Sequence, residues 1–209
     1  MQESCLKISH YIKNTKVLGP YNRAALWVQG CLRHCEGCLA RQMNEEQPEI
    51  RPVSELADIF AAAGDTEGIT ISGGEPFLQA GGLAEMVEKI KRQRDYGVIV
   101  YTGYDYEQLM QENNEDIHRF LKQIDILIDG KYIRELDDGL PYRGSKNQRI
   151  LNLSPRYTQI MEAYYYGTDK RNIEINVTEN RAYLVGVPSK QGFEVWEEFR
   201  KKAGGKGAV

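Results

Sequence analysis

Apolar residues along this chain fall into short blocks separated by amphipathic stretches. Residues 24–29 read Ala-Ala-Leu-Trp-Val-Gln and stop at Gly30, as a buried strand would. Ser54 stands where it can cap a helix through Leu56, Ile59, Phe60 and Ala63, with Gly64 ending it. The run from Gly68 to Ser72 predicts the next strand, which leads into Gly73-Gly74-Glu75-Pro76. Leu83, Met86, Val87 and Ile90 keep the spacing of an amphipathic helix, and Gly97 to Tyr101 follows as a strand. Leu109, Met110, Ile117, Phe120 and Leu121 predict more helix, and Ile124 to Asp129 another strand.

Strand and helix therefore alternate from about Ala24 to Asn152, the pattern of an α/β fold with a mostly parallel sheet flanked by helices. Functional residues in such a sheet gather at the carboxyl ends of its strands. Beyond Asn152 the rhythm changes. Ser154-Pro155 opens a helix carrying Ile160 and Met161, and Ile173 to Val177 pairs with Ala182 to Val187 across a turn near Glu179-Asn180. A last helix runs through Phe193, Val195, Trp196 and Phe199. This divides the chain into a core of residues 1–152, an extension of helix, hairpin and helix over 153–203, and a disordered Gly-rich tail over 204–209.

The 209 residues, 41% hydrophobic, suffice for a real core. Twenty-seven Lys and Arg against 30 Asp and Glu give a net charge of -3, without long blocks of one sign, so neither nucleic acid nor a membrane is expected as partner. The start lacks a secretory signal, and no apolar run approaches the ~20 residues that span a bilayer. A cytoplasmic protein is expected, and there four cysteines, three of them within eight positions, point to metal or catalysis rather than disulfides.

In Cys31-Leu32-Arg33-His34-Cys35-Glu36-Gly37-Cys38 three thiolates share one tight loop. Soft thiolates suit iron–sulfur clusters or zinc. A zinc site would need a fourth ligand, such as His34, His10 or Cys5, and the paired spacing of zinc fingers is absent. An electron-transfer cluster takes four cysteines, so a 4Fe–4S cluster held by three leaves one iron open to a further ligand. Cys5 lies far upstream, without a motif of its own.

The three-cysteine loop after a strand resembles the hallmark of radical S-adenosylmethionine enzymes, and Ser72-Gly73-Gly74-Glu75-Pro76 is similar to their Gly-Gly-Glu-Pro motif. A narrower resemblance, over most of residues 17–150, is to the activating proteins of anaerobic ribonucleotide reductase, a family of glycyl-radical-enzyme activases. It rests on Gly19-Pro20, Val28-Gln29-Gly30-Cys31, Tyr101-Thr102-Gly103-Tyr104, Ile128-Asp129-Gly130-Lys131 and the run from Arg143 to Gln148. The resemblance implies an open, incomplete (β/α) barrel with a 4Fe–4S cluster on Cys31, Cys35 and Cys38. It also implies S-adenosylmethionine held by Ser72, Gly73, Gly74, Glu75 and Pro76, with Thr102, Asp129 and Lys131 at its polar end.

Two departures stand out. Gly37 replaces the aromatic residue that often precedes the third cysteine, so adenine contact falls to the backbone there or to other residues. Tyr101 stands where an acidic residue often precedes the threonine, so the resemblance does not carry a cation site over to this chain. His34 and the run Tyr164-Tyr165-Tyr166 are assigned no role. The implied activity is reductive cleavage of S-adenosylmethionine to a 5′-deoxyadenosyl radical that installs a glycyl radical on a partner such as anaerobic ribonucleotide reductase, with flavodoxin or ferredoxin as electron donor. Two rivals are kept: the same chemistry on a peptide or small molecule, motivated by the extension, and a non-catalytic iron–sulfur or zinc protein.

Overall fold

The computed structural model describes residues 3–41, 46–166, 171–179, 181–202 and 207–208. Its first strands are β1 (Cys5–Thr15), β2 (Arg23–Val28) and β3 (Glu49–Pro52), followed by helix α1 (Val53–Ala61). Then come β4 (Gly68–Gly73), α2 (Ala80–Gln93), β5 (Gly97–Tyr101), α3 (Tyr106–Gln111), α4 (Glu115–Leu121), β6 (Ile126–Asp129) and β7 (Arg149–Asn152). The extension contributes α5 (Thr158–Tyr166), β8 (Ile173–Val177), β9 (Ala182–Gly186), α6 (Lys190–Lys202) and β10 (Gly207–Ala208).

Seven strands form an open sheet in the order β3-β1-β2-β4-β5-β6-β7. The centre, β2-β4-β5-β6, is parallel, whereas β1, β3 and β7 pair antiparallel at the edges. The expected α/β architecture with a largely parallel sheet and a C-terminal hairpin is thus present, and the edges are its addition. Ser54 is not the helix cap: strand pairing continues to Val53, whose N–H reaches Ser4 O at 2.9 Å, so Pro52 takes the cap position and Ser54 falls in the first turn. The helix expected through Leu109, Met110, Ile117, Phe120 and Leu121 is present as two helices, each with its own cap, Asp105 and Asn114.

Alternation within the strands gives the sheet two different faces. Ala24, Leu26, Val28, Ile69, Ile71, Val98 and Val100 pack against the apolar sides of α1, α2 and α4, including Leu56, Phe60, Leu83, Val87 and Phe120. The opposite, inner face carries Trp27, Ile99, Tyr101, Ile126 and Ile128. Tyr157, Ile160 and Met161 cover its β5–β6 half. The C-terminal hairpin covers its β1–β2 half, where Val185 and Tyr183 meet Ile12, Leu18, Ala25 and Trp27. On the hairpin's other side Ala182 and Leu184 bury Trp196 of α6 against Leu39.

Arg23 pins the start of the parallel sheet. Its fully buried guanidinium donates to Thr70 Oγ1 at 3.0 Å, Glu67 Oε2 at 2.8 Å, Tyr157 Oη at 2.8 Å, and the carbonyls of Ile69 and Gly97, both at 3.0 Å. A buried charge needs this degree of satisfaction to be tolerated.

Polar contacts latch the extension as well, two sets of them around the hairpin. Glu174 accepts from Thr15 Oγ1 at 2.7 Å and from Lys16 N at 3.0 Å. Arg171 donates to Leu140 O and Arg143 O, at 2.8 and 2.7 Å, and pairs with Asp137. Within the expected disordered tail, Gly207–Ala208 instead pair parallel with β9, while 204–206 and 209 lie outside the described residues. Asn180 of the expected turn and the side chains of Tyr164, Tyr165 and Tyr166 also lie outside them.

A register shift between Ile8 and His10 in β1 changes the face its side chains occupy. Leu6 and Ile8 point to the helices, whereas His10 points inward and lies sandwiched between Trp27 and Tyr183, with ring centroids 4.3 and 4.1 Å away. Among the described residues neither of its ring nitrogens has a hydrogen-bond partner. Burial, helped by the charge of Arg181, holds the His10 pKa down from the ordinary 6.5 to about 3. The unfolded chain then binds this proton near pH 6.5 and the folded chain only near pH 3, so stability falls as pH is lowered through that window. The loss is at most about 1.4 kcal/mol per pH unit. His10→Phe should remove this acid sensitivity, measured as the change in urea-unfolding free energy between pH 7 and pH 5; an unchanged difference would contradict the neutral, buried histidine.

Candidate functional site

The parallel register of β2 and β4 ends with Val28 opposite Gly73, so both chains leave the sheet at the same level. Two further bonds continue the pairing past the strands: Gly74 N to Val28 O and Glu75 N to Gly30 O, each 2.8 Å. The cysteine loop and the Gly-Gly-Glu loop are thereby held side by side. Gly73 has φ +102°, and a Cβ there would stand 2.4 Å from Val28 O, so this close approach admits only glycine.

One cavity opens at these strand ends. Its walls include Cys31, Cys35 and Cys38; Ser72, Gly73, Gly74 and Glu75; Tyr101, Thr102 and Gly103; and Gly130 and Gln148. The three thiols are free and half-buried. Burial pushes the Cys38 thiol above its ordinary value, and the neighbouring Cys35 and Cys31 add to this. Clustered thiolates repel one another, so this trio suits a cationic metal core that keeps them ionised. Among the described residues no three His, Cys, Asp or Glu side chains are set to hold a single metal ion. The ligands of a cluster bind separate irons and need not converge on one point. His10 lies in its aromatic sandwich and Cys5 is exposed at the start of β1; neither lines the cavity.

Gly37 and Pro76 shape the loops without lining the cavity. At Gly37, φ is +70° and a Cβ would meet Arg134 Cδ at 2.9 Å, so glycine lets the chain turn between Cys35 and Cys38. Pro76 opens a short 3-10 turn, Pro76–Gln79, capped by Glu75.

Glu75 is buried and its carboxylate is fully engaged. It accepts from Thr102 Oγ1 at 2.8 Å, Gly103 N at 2.9 Å and Phe77 N at 3.1 Å. Burial pushes its carboxyl pKa up, against the lowering effect of these bonds and of the Arg33 charge. The Thr102 hydroxyl also accepts from Tyr104 N at 3.1 Å. Glu75 and Thr102 therefore brace the β4 and β5 loops against each other.

Asp129 and Lys131 do not reach the cavity. The Asp129 carboxylate is taken by Tyr106 N at 2.8 Å and by the Arg149 guanidinium, which fixes the start of α3. Lys131 is exposed, and its carbonyl accepts from Asn147 Nδ2 at 2.7 Å. Their neighbour Gly130 lines the wall instead, with Gln148, whose side chain ties Gly130 O to Gly144 N and Ser145 N. Other wall residues carried no recognisable signal: Trp27 and Arg33, and Leu184, Gly186 and Val187 from the extension.

Glu75→Gln would turn one carboxylate oxygen into a donor facing donors. The expected outcome is a loss of about 1–3 kcal/mol in denaturant unfolding, with faster amide hydrogen exchange at Gly103. Unchanged protection at Gly103 would show that the carboxylate does not hold that loop.

Comparison with known proteins agrees with this arrangement. Residues 17–151 match the family model described as a 4Fe-4S single cluster domain. The anaerobic ribonucleoside-triphosphate reductase-activating protein of Vibrio cholerae is 34% identical over 143 residues, covering 64% of this chain and 90% of that protein. Its counterpart from Enterobacteria phage T4 is 33% identical over 141 residues, covering 64% and 86%. The pyruvate formate-lyase-activating enzyme of Staphylococcus aureus is 27% identical over 158 residues, covering 69% and 60%. The cysteine loop, the glycine loop and the parallel strands β2, β4, β5 and β6 thus lie within the matched span, and the chain belongs to the family of anaerobic ribonucleoside-triphosphate reductase-activating proteins.

Proposed function

We propose that the protein binds a 4Fe–4S cluster through Cys31, Cys35 and Cys38 and S-adenosylmethionine against Ser72, Gly73 and Gly74, and that it activates a glycyl-radical enzyme, with anaerobic ribonucleotide reductase as the first candidate. The observation that carries this reading is that the three thiols and the Gly-Gly-Glu loop line one cavity. When bound, the reduced cluster supplies one electron that splits the sulfonium bond to methionine and a 5′-deoxyadenosyl radical, which takes a hydrogen atom from a glycine α-carbon of the partner.

The chain's own residues prepare the site. Cys31, Cys35 and Cys38 would hold three irons of the cluster and would leave the fourth for S-adenosylmethionine. The Glu75–Thr102–Gly103 brace fixes the cavity wall before a ligand arrives, which lowers the entropy cost of binding. Trp27, Leu39 and the hairpin residues supply apolar walls that keep water from a reactive radical. Residues 1–152 form the radical core in this reading and 153–203 an appended unit. The open sheet is taken as an incomplete barrel wall. Flavodoxin or ferredoxin in a cytoplasmic setting would supply the electron; among the described residues no helix is long and apolar enough to cross a membrane.

One observation favours a second reading. Leu184, Gly186 and Val187 line the cavity yet lie beyond the matched span, so the extension can select a different acceptor, such as a peptide or small molecule.

The test is anaerobic incubation of the reconstituted protein with dithionite and S-adenosylmethionine. Release of 5′-deoxyadenosine is expected from the native protein, with a loss of at least about 100-fold in Cys35→Ala. No release from protein with an intact cluster would end both readings. A glycyl-radical EPR signal on added anaerobic ribonucleotide reductase supports the first; 5′-deoxyadenosine without that signal supports the second.

A further inference from the structure

Most polar groups on the cavity wall already have partners within the protein. Glu75 accepts three hydrogen bonds, Thr102 donates one and accepts one, and both ends of the Gln148 amide are engaged. Two buried wall donors are not satisfied: Tyr101 Oη and Arg33 Nε. Buried polar atoms without partners are uncommon, and on a cavity wall they are open to a ligand, an ion or a water.

The two groups are held firmly. Tyr101 ends β5 and turns to the inner face two residues after Ile99, packed with Ile126 and Ile128. Its burial keeps the phenol protonated, so the hydroxyl is available as a donor. Arg33 stacks its guanidinium over the Tyr104 ring, 4.1 Å from the centroid, and lays its stem on Gly103, where a Cβ would stand 2.4 Å from Arg33 Cδ. Among the described residues it has no carboxylate within ion-pair distance. Stacking thus fixes its position; the Glu75 carboxylate feels its charge without forming an ion pair with it, and its Nε–H keeps no partner.

We propose that Arg33 and Tyr101 are binding residues for S-adenosylmethionine, Arg33 donating to the carboxylate of its methionine half and Tyr101 to a ribose oxygen of its nucleoside half. The assignment follows from charge. The cofactor has one anionic group, which the unpaired guanidinium matches, and its ribose offers the neutral acceptors that a phenol takes. This inference rests on the reading of the cavity as an S-adenosylmethionine site.

The test measures binding rather than turnover, by titrating anaerobically reconstituted protein with S-adenosylmethionine, methionine and 5′-deoxyadenosine. Tyr101→Phe should weaken S-adenosylmethionine about 3- to 10-fold and Arg33→Met about 10- to 100-fold, with iron content unchanged. Arg33→Met should weaken methionine and spare 5′-deoxyadenosine, and Tyr101→Phe the reverse. Because the orphaned hydroxyl makes no internal bond, Tyr101→Phe should melt no lower than the native protein. Native affinity in both variants would overturn the inference while leaving the proposed function intact. Loss of iron in Arg33→Met would assign Arg33 to the cysteine loop instead and overturn its part, Tyr101 then standing on its own titration. A native protein with an intact cluster that binds no S-adenosylmethionine would remove the underlying reading and this inference with it.

Discussion

The parallel register of β2 and β4 is the constraint on which the site depends. Because Val28 lies opposite Gly73, the cysteine loop and the Gly-Gly-Glu loop leave the sheet together, and backbone bonds at Gly74 and Glu75 extend the pairing beyond the strands. A slip of one residue would turn Trp27 and Ser72 away from the inner face. The glycine at 73 is part of the same constraint, since any side chain would strike the Val28 backbone. Glu75 carries the alignment to the next strand end by holding Thr102 and Gly103, so three loops are fixed relative to one another by one register and one buried carboxylate.

The division of labour between the faces follows from the same geometry. Helices seal the outer face with aliphatic contacts, while the inner face is closed at two sides, by α5 and by the hairpin, with the cavity at the strand ends. The hairpin is no loose appendage. A buried histidine between two aromatic rings, two polar latches and a shared apolar cluster join it to β1, β2, the cysteine loop and the segment between β6 and β7. A unit that lies outside the span matched by the 4Fe-4S single cluster model therefore forms part of the cavity wall.

Legibility in the sequence tracked how local the physics was. The central strands and α2 were readable because each buries residues at its own period, and Gly97–Tyr101 matched to the residue. The strand β1 alternates as cleanly over Leu6, Ile8 and Ile12, yet its irregular register hides which face each residue serves. Ser54 misled because a cap preference was outweighed by strand pairing at Val53, a contact with a segment some fifty residues away. Asp129 sat in a motif at a strand end, but Arg149 on the neighbouring strand claims its carboxylate.

By itself the sequence determined the chemistry: three thiolates in one loop, a glycine turn after a strand, and an α/β rhythm to carry both. These are short-range features, fixed by residue type and spacing. Only the tertiary structure decided which side chains face the cavity and which are consumed in holding it together. Glu75 and Thr102 are braces, Asp129 and Lys131 lie elsewhere, and Arg33, Tyr101 and the hairpin residues enter the wall. That distinction depends on hydrogen-bond partners contributed by distant strands, and local spacing carries no information about them.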